Sequence, residues 1–104
     1  MKKMIIFLLV TLGLNASEIN WLKSYEEASK IAKTENKPML IFINKPDCGA
    51  CQVMKDITFK DETIYPYINE YFVPVSLDIN KNDAPETLQS EVTPTFHFVK
   101  HDGT

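Results

Sequence analysis

With 104 residues, of which 44% are hydrophobic and 24% charged, the chain has room for one small domain. The net charge is −3 and all 11 basic residues are lysine, so the electrostatic footprint of a nucleic-acid binder is absent and the acidic excess reads as solubility. The two cysteines stand together as Cys48-Gly49-Ala50-Cys51, a loop too small for its closure to stabilise a fold by much, which points to chemistry rather than to a staple.

Met1-Lys2-Lys3 followed by the apolar run Met4–Leu14 and then Asn15-Ala16-Ser17 has the form of a signal peptide. This 11-residue run is too short to span a bilayer, which takes about 20 residues as a helix. The expectation is therefore a signal peptide over 1–16 and a domain over 17–104, placed in the periplasm. The competing reading is an uncleaved anchor, because Leu14 is a poor small residue for the cleavage site. Cleavage after Ala16 leaves nine lysines against 14 acidic residues, a net charge of −5.

Ser24-Tyr25-Glu26-Glu27 has the form of a capping box and predicts a helix to about Glu35, with Tyr25, Ala28, Ile31 and Ala32 on its apolar face and Asn36 and Pro38 ending it. Met39–Ile43 is a continuous apolar run between Pro38 and Asn44-Lys45-Pro46, as in a strand buried on both faces. A helix leaves the cysteine motif through Gln52–Lys55. Asp61 or Thr63 caps a further helix through Ile64, Tyr67, Ile68 and Tyr71, with Pro66 tolerable in its first turn. Phe72–Ile79 reads as a second strand, in which Pro74 marks a sheet edge or a strand start. Asp83-Ala84-Pro85-Glu86 predicts a short helix with its own capping box. Thr95–Lys100 is the third strand, and Asp102-Gly103 is a hairpin signal. The order α-β-α-α-β-α-β-turn implies an α/β sheet with parallel pairs.

At the junction of a buried strand and a helix, Cys48 occupies a helix N-terminus, where free N–H groups and the dipole favour an anion. Such sites lower a thiol pKa from about 8.5, and the thiolate is the nucleophile. Cys51 lies one turn further, on the same face and deeper, placed to attack a mixed disulfide at Cys48. Alternatives exist for such a pair. Tetrahedral zinc needs four ligands, and the chain has no second cysteine pair. His97 and His101 read as a half-exposed strand residue and a turn residue, and Gln52 stands where covalent haem needs histidine. The competing functional class is an exported module holding copper or zinc on the cysteines with help from histidine or a partner; a structural disulfide is the third. Thr93-Pro94 precedes the third strand, and a cis bond there would bring Thr93 beside the cysteines and offer its backbone to an extended substrate.

Residues 21–103 resemble the thioredoxin superfamily, in particular exported SoxW-like thioredoxins and the periplasmic C-terminal domain of the DsbD reductase. The similarity lies in Lys37-Pro38-Met39-Leu40-Ile41-Phe42, Cys48-Gly49-Ala50-Cys51, Thr58-Phe59-Lys60-Asp61, Tyr71-Phe72-Val73-Pro74-Val75 and Thr93-Pro94-Thr95-Phe96. It implies a three-layer α/β thioredoxin-like fold around a central mixed sheet, with Cys48 as nucleophile, Cys51 as resolver, Pro94 as cis-proline and Thr93 at the substrate. It implies protein thiols or disulfides as substrates, a membrane or soluble electron donor, no cofactor and a monomer. It also implies a last strand and helix, so the domain is expected to be incomplete after Thr104.

Departures from the family pattern bear on the chemistry. Asp47 replaces a frequent aromatic before the first cysteine, and Ala50 replaces the proline of thioredoxin. Phe42 occupies the place of thioredoxin's buried acid, so the proton of Cys51 must go to water or another group, with Asp47 and Lys55 nearest in sequence. Strongly oxidising relatives carry histidine between the cysteines; Gly49 and Ala50 bring no charge. The helix N-terminus and Lys45 favour the Cys48 thiolate and Asp47 opposes it, which predicts a reducing rather than an oxidising pair.

Overall fold

The structure, a computed structural model, describes residues 18–104. The predicted signal peptide over 1–16 lies outside them. The elements are α1 (Tyr25–Glu35), β1 (Met39–Asn44), α2 (Gly49–Asp56), a 3₁₀ turn at Thr58–Lys60, α3 (Tyr65–Tyr71), β2 (Val73–Asp78), a second 3₁₀ turn at Glu86–Leu88 and β3 (Thr95–Val99).

β1 is buried at all six positions, the apolar run and Asn44 alike, because it is the central strand of the order β2-β1-β3. It runs parallel to β2, with Met39 opposite Val73 and Asn44 opposite Asp78. It runs antiparallel to β3, with Met39 opposite Val99 and Ile43 opposite Thr95. The sheet is thus mixed, with helices on both faces.

Alternation along β1 divides the core in two. Met39, Ile41 and Ile43 join Val73, Val75, Leu77 and Val99 on one face, closed by Ala28 and Ala32 of α1. Those two alanines are fully buried, their small side chains letting the helix lie close on the sheet. Leu40 and Phe42 project to the other face and meet Cys48, Cys51, Phe59 and Ile68. Burying one large apolar side chain is worth about 1.5–3 kcal/mol, so β1 anchors both layers.

Pro74 is placed as a sheet edge requires. On the outer side of β2, Leu22 N donates to Pro74 O (3.0 Å) and Ser76 N to Leu22 O (2.8 Å). A strand residue's N–H and C=O face the same side, so the donor that proline lacks would point away from β1.

Three sequence expectations are corrected. The helix expected to be capped by Asp61 or Thr63 begins only at Tyr65, with Ile64 at the cap position and no side-chain cap. The Asp61 carboxylate is spent locally on Thr63 N and Oγ1. Asp83 does not open a helix of its own: the helical turn is confined to Glu86–Leu88, after Pro85 in extended conformation. Proline disfavours helical backbone at the residue before it, here Ala84. Asp83 instead caps α1, accepting from Ser24 Oγ (2.9 Å), Tyr25 N (2.7 Å) and Glu26 N (2.9 Å). The second strand is shorter than expected, since Phe72 closes α3 and Ile79 lies beyond β2. At α1, Ser24 Oγ accepts from Glu27 N (3.2 Å) and Asn36 in left-handed conformation (φ 55°) ends the helix.

Candidate active site

The loop carrying the cysteines is pinned where β1 ends. Asn44 is buried, and its side-chain nitrogen reaches Ser76 Oγ (2.9 Å), Phe42 O (3.2 Å) and Leu77 O (3.2 Å). From there Lys45-Pro46-Asp47 leads to Cys48, which is the N-cap residue of α2 with extended backbone (φ −102°, ψ 107°). Cys48 Sγ accepts a hydrogen bond from Cys51 N at 3.0 Å, a partner that also serves a thiolate, as an N-cap side chain does. Cys48 and Cys51 are disulfide-bonded, with Cα atoms 5.2 Å apart.

The two sulfurs sit in different surroundings. Cys48 is 9% exposed and Cys51 1%. Cys51 faces an aromatic layer in which Phe42 stacks on Phe96 (centroids 5.0 Å, 11°) and meets Phe59 (5.3 Å) and Trp21 (5.4 Å). Phe42 thus fills the place of a buried acid with a ring that cannot take a proton. Cys48 opens onto a hollow of about 400 Å³ bordered also by Lys45, Ala50, Ile79, Val92 and Thr93.

Thr93 and Cys48 are therefore brought together across one hollow. The Thr93–Pro94 peptide bond is cis. Ser90 Oγ accepts from Val92 N (3.2 Å), and Thr95 Oγ1 donates to Val92 O (2.7 Å), tying the loop around Thr93. Among the described residues, the backbone of Thr93 enters none of the loop hydrogen bonds.

His97 stands on β3 opposite Ile41, with its Nε2 buried and unpartnered among the described residues. His101 follows the strand in the turn closed by Gly103 N and Lys100 O (2.8 Å). Neither joins the cysteines in a group of three or more potential metal ligands among the described residues. No described helix is long and apolar enough to cross a membrane.

Sequence reasoning missed three positioning residues. Asn44 looked like a strand terminator, and only the partners across the sheet reveal the clamp. Thr95 was read only as the start of a strand and Ser90 was not singled out, although hydroxyls beside a proline turn are a usable signal of such ties.

A strand, a cysteine pair at a helix N-cap and a loop ending in Thr93–Pro94 define a class that comparison identifies. The model of the thioredoxin-like family matches residues 20–101, and the chain belongs to that family. It is 26% identical to anterior gradient protein 3 of Xenopus tropicalis over 82 residues, 79% of this chain and 50% of that one. It is 35% identical to spermatogenesis-associated protein 20 of Rattus norvegicus over 60 residues, 58% of this chain and 8% of that one. The chain thus spans about half the length of the anterior gradient protein it matches. A solution structure of a candidate disulphide isomerase from Bacteroides thetaiotaomicron superposes with a TM-score of 0.71 at 27% identity, covering 86% of this chain and 77% of that one. The DsbH oxidoreductase has the same fold, with a TM-score of 0.70 at 22% identity over 88% of this chain and 72% of that one.

Proposed function

We propose that this chain is an exported thiol–disulfide oxidoreductase acting on protein thiols, working in the reducing direction. The observation that carries the reading is the asymmetry of the pair: Cys48 at the N-cap of α2 and open to a hollow, Cys51 sealed against aromatic rings.

In the reduced enzyme the Cys48 thiolate attacks one sulfur of a substrate disulfide. A Cys48–substrate disulfide forms, the substrate bond breaks, and the substrate's other sulfur leaves as a thiolate that takes up a proton. Cys51 then gives its proton to the leaving thiolate or to water and attacks Cys48 Sγ. The mixed disulfide breaks, the substrate departs as a dithiol, and the enzyme is left oxidised at Cys48–Cys51, the state seen here. Two electrons from a dithiol donor, membrane-bound or soluble, restore the pair. Extended substrate can pair with the free backbone of Thr93, with Pro94 shaping the turn beside it.

Export rests on the Lys2-Lys3 n-region, the Met4–Leu14 apolar run and Ala16. The reducing direction rests on Gly49 and Ala50, which add no charge to stabilise the thiolate, and on Asp47, which opposes it. The expected potential is nearer thioredoxin's roughly −270 mV than DsbA's roughly −120 mV. Insulin reduction by dithiothreitol tests the activity: the parent should accelerate it and Cys48→Ser should not. Equilibration with glutathione tests the direction, and a potential near DsbA's would make the protein a disulfide donor.

A further inference from the structure

The rim of the Cys48 hollow carries one charge of each sign. Lys45 stands three residues before the nucleophile and Glu91 two residues before Thr93, and both border the hollow. Neither enters any of the ion pairs formed among the described residues. Lys45 is half-buried, as are Lys37, which pairs with Glu35, and Lys55, which lies on α2 away from this hollow; the other described lysines are exposed. An ammonium at the rim with no ion-pair partner is free to meet a docked carboxylate. Ile79 and Val92, the latter 67% exposed, add apolar surface to the same hollow.

We infer that Lys45 is a specificity-determining residue that selects substrate segments with an acidic side chain next to the reacting cysteine, while Glu91 disfavours a second acid on its own side. The substrate class is an extended cysteine-containing segment with an apolar residue for Val92 and a carboxylate for Lys45. In a protein with an acidic excess, Lys45 is, among the described residues, the one cation on the rim of the hollow, opposite in sign to Glu91, and supplies the attractive side of that rim for a carboxylate. The inference rests on the exchange reading above.

The test uses two peptide disulfides differing only in Asp or Lys beside the cysteine, with neutral bis(2-hydroxyethyl) disulfide as a charge-free reference. For each enzyme the readout is the ratio of kcat/KM for the Asp peptide to that for the Lys peptide, each normalised to the reference. The parent should favour the Asp peptide by about two- to fivefold, the range of a partly exposed ion pair. Lys45→Glu should invert the ratio, and Glu91→Lys should raise it. The ratio cancels any change at the sulfur itself. An unchanged ratio in Lys45→Glu overturns the inference, as does a loss of equal size on all three disulfides, which would place Lys45 at the thiolate instead. Failure of the parent to reduce even the neutral disulfide overturns the exchange reading and this inference with it.

Discussion

The two faces of the sheet are built from alternate residues of the same strand, yet they serve different ends. Ile41 faces aliphatic side chains and the alanines of α1; Phe42, its neighbour, faces aromatic rings and the cysteines. The first layer is closed by a capped helix lying close on the strands. The second packs a redox pair against rings and leaves an apolar hollow between α2, α3 and the sheet, lined by Met54, Ile64, Tyr67, Phe72, Phe96 and Phe98. Both layers stabilise the fold, but the pleat of one strand puts the cysteines in only one of them.

The largest expected effect falls on the sulfurs. Cys48→Ser should reduce exchange to background, whereas Cys51→Ser should accumulate mixed disulfides visible by mass spectrometry. Equal accumulation in both variants would abolish the assigned difference.

Neighbouring substitutions in β1 sharpen the contrast. Ile41→Ala should cost about 2–5 kcal/mol and Phe42→Ala about 3–5 kcal/mol in denaturant unfolding. Only Phe42→Ala should also expose Cys51 and speed its alkylation in the reduced, folded protein. A similar gain in Ile41→Ala would mean that the two layers are coupled.

A smaller effect belongs to the cap of α1. Burial alone pushes the Asp83 carboxyl up, but the hydrogen bonds from Glu26 N, Tyr25 N and Ser24 Oγ outweigh it and hold it below the ordinary 3.8. With the folded pKa lower than the unfolded one, the stabilisation is complete above about pH 4 and is lost as the pH falls through the folded value. Asp83→Ala should therefore lower stability by about 0.5–2 kcal/mol at neutral pH, and by less in acid. A difference that grew on acidification would contradict the cap.

The smallest concerns Asp47. Removing its charge with Asp47→Asn should speed Cys48 alkylation at neutral pH by roughly two- to fivefold, less at high salt. No change would mean that the charge is too well solvated to act on the sulfur.

What the sequence made legible was local. The apolar run of β1, the Ser24 and Asn36 ends of α1, and the motif at a strand–helix junction each follow from adjacent residues. Asp83 was misread because its pattern, an acid before Ala84-Pro85-Glu86, satisfies a local rule while its partners lie 57 to 59 positions away. Asn44 escaped for the same reason, since its acceptor Ser76 belongs to the neighbouring strand. The depth of Cys51 followed from helix periodicity, but the rings around it come from four separate segments, at Trp21, Phe42, Phe59 and Phe96.

The central claim is that one sulfur attacks and the other waits behind it. Limited iodoacetamide treatment of the fully reduced, folded protein, followed by peptide mass spectrometry, tests this directly. Cys48 should carry the label first, with Cys51 labelled only after prolonged exposure or unfolding. Preferential labelling of Cys51 would reverse the assigned roles and contradict the account.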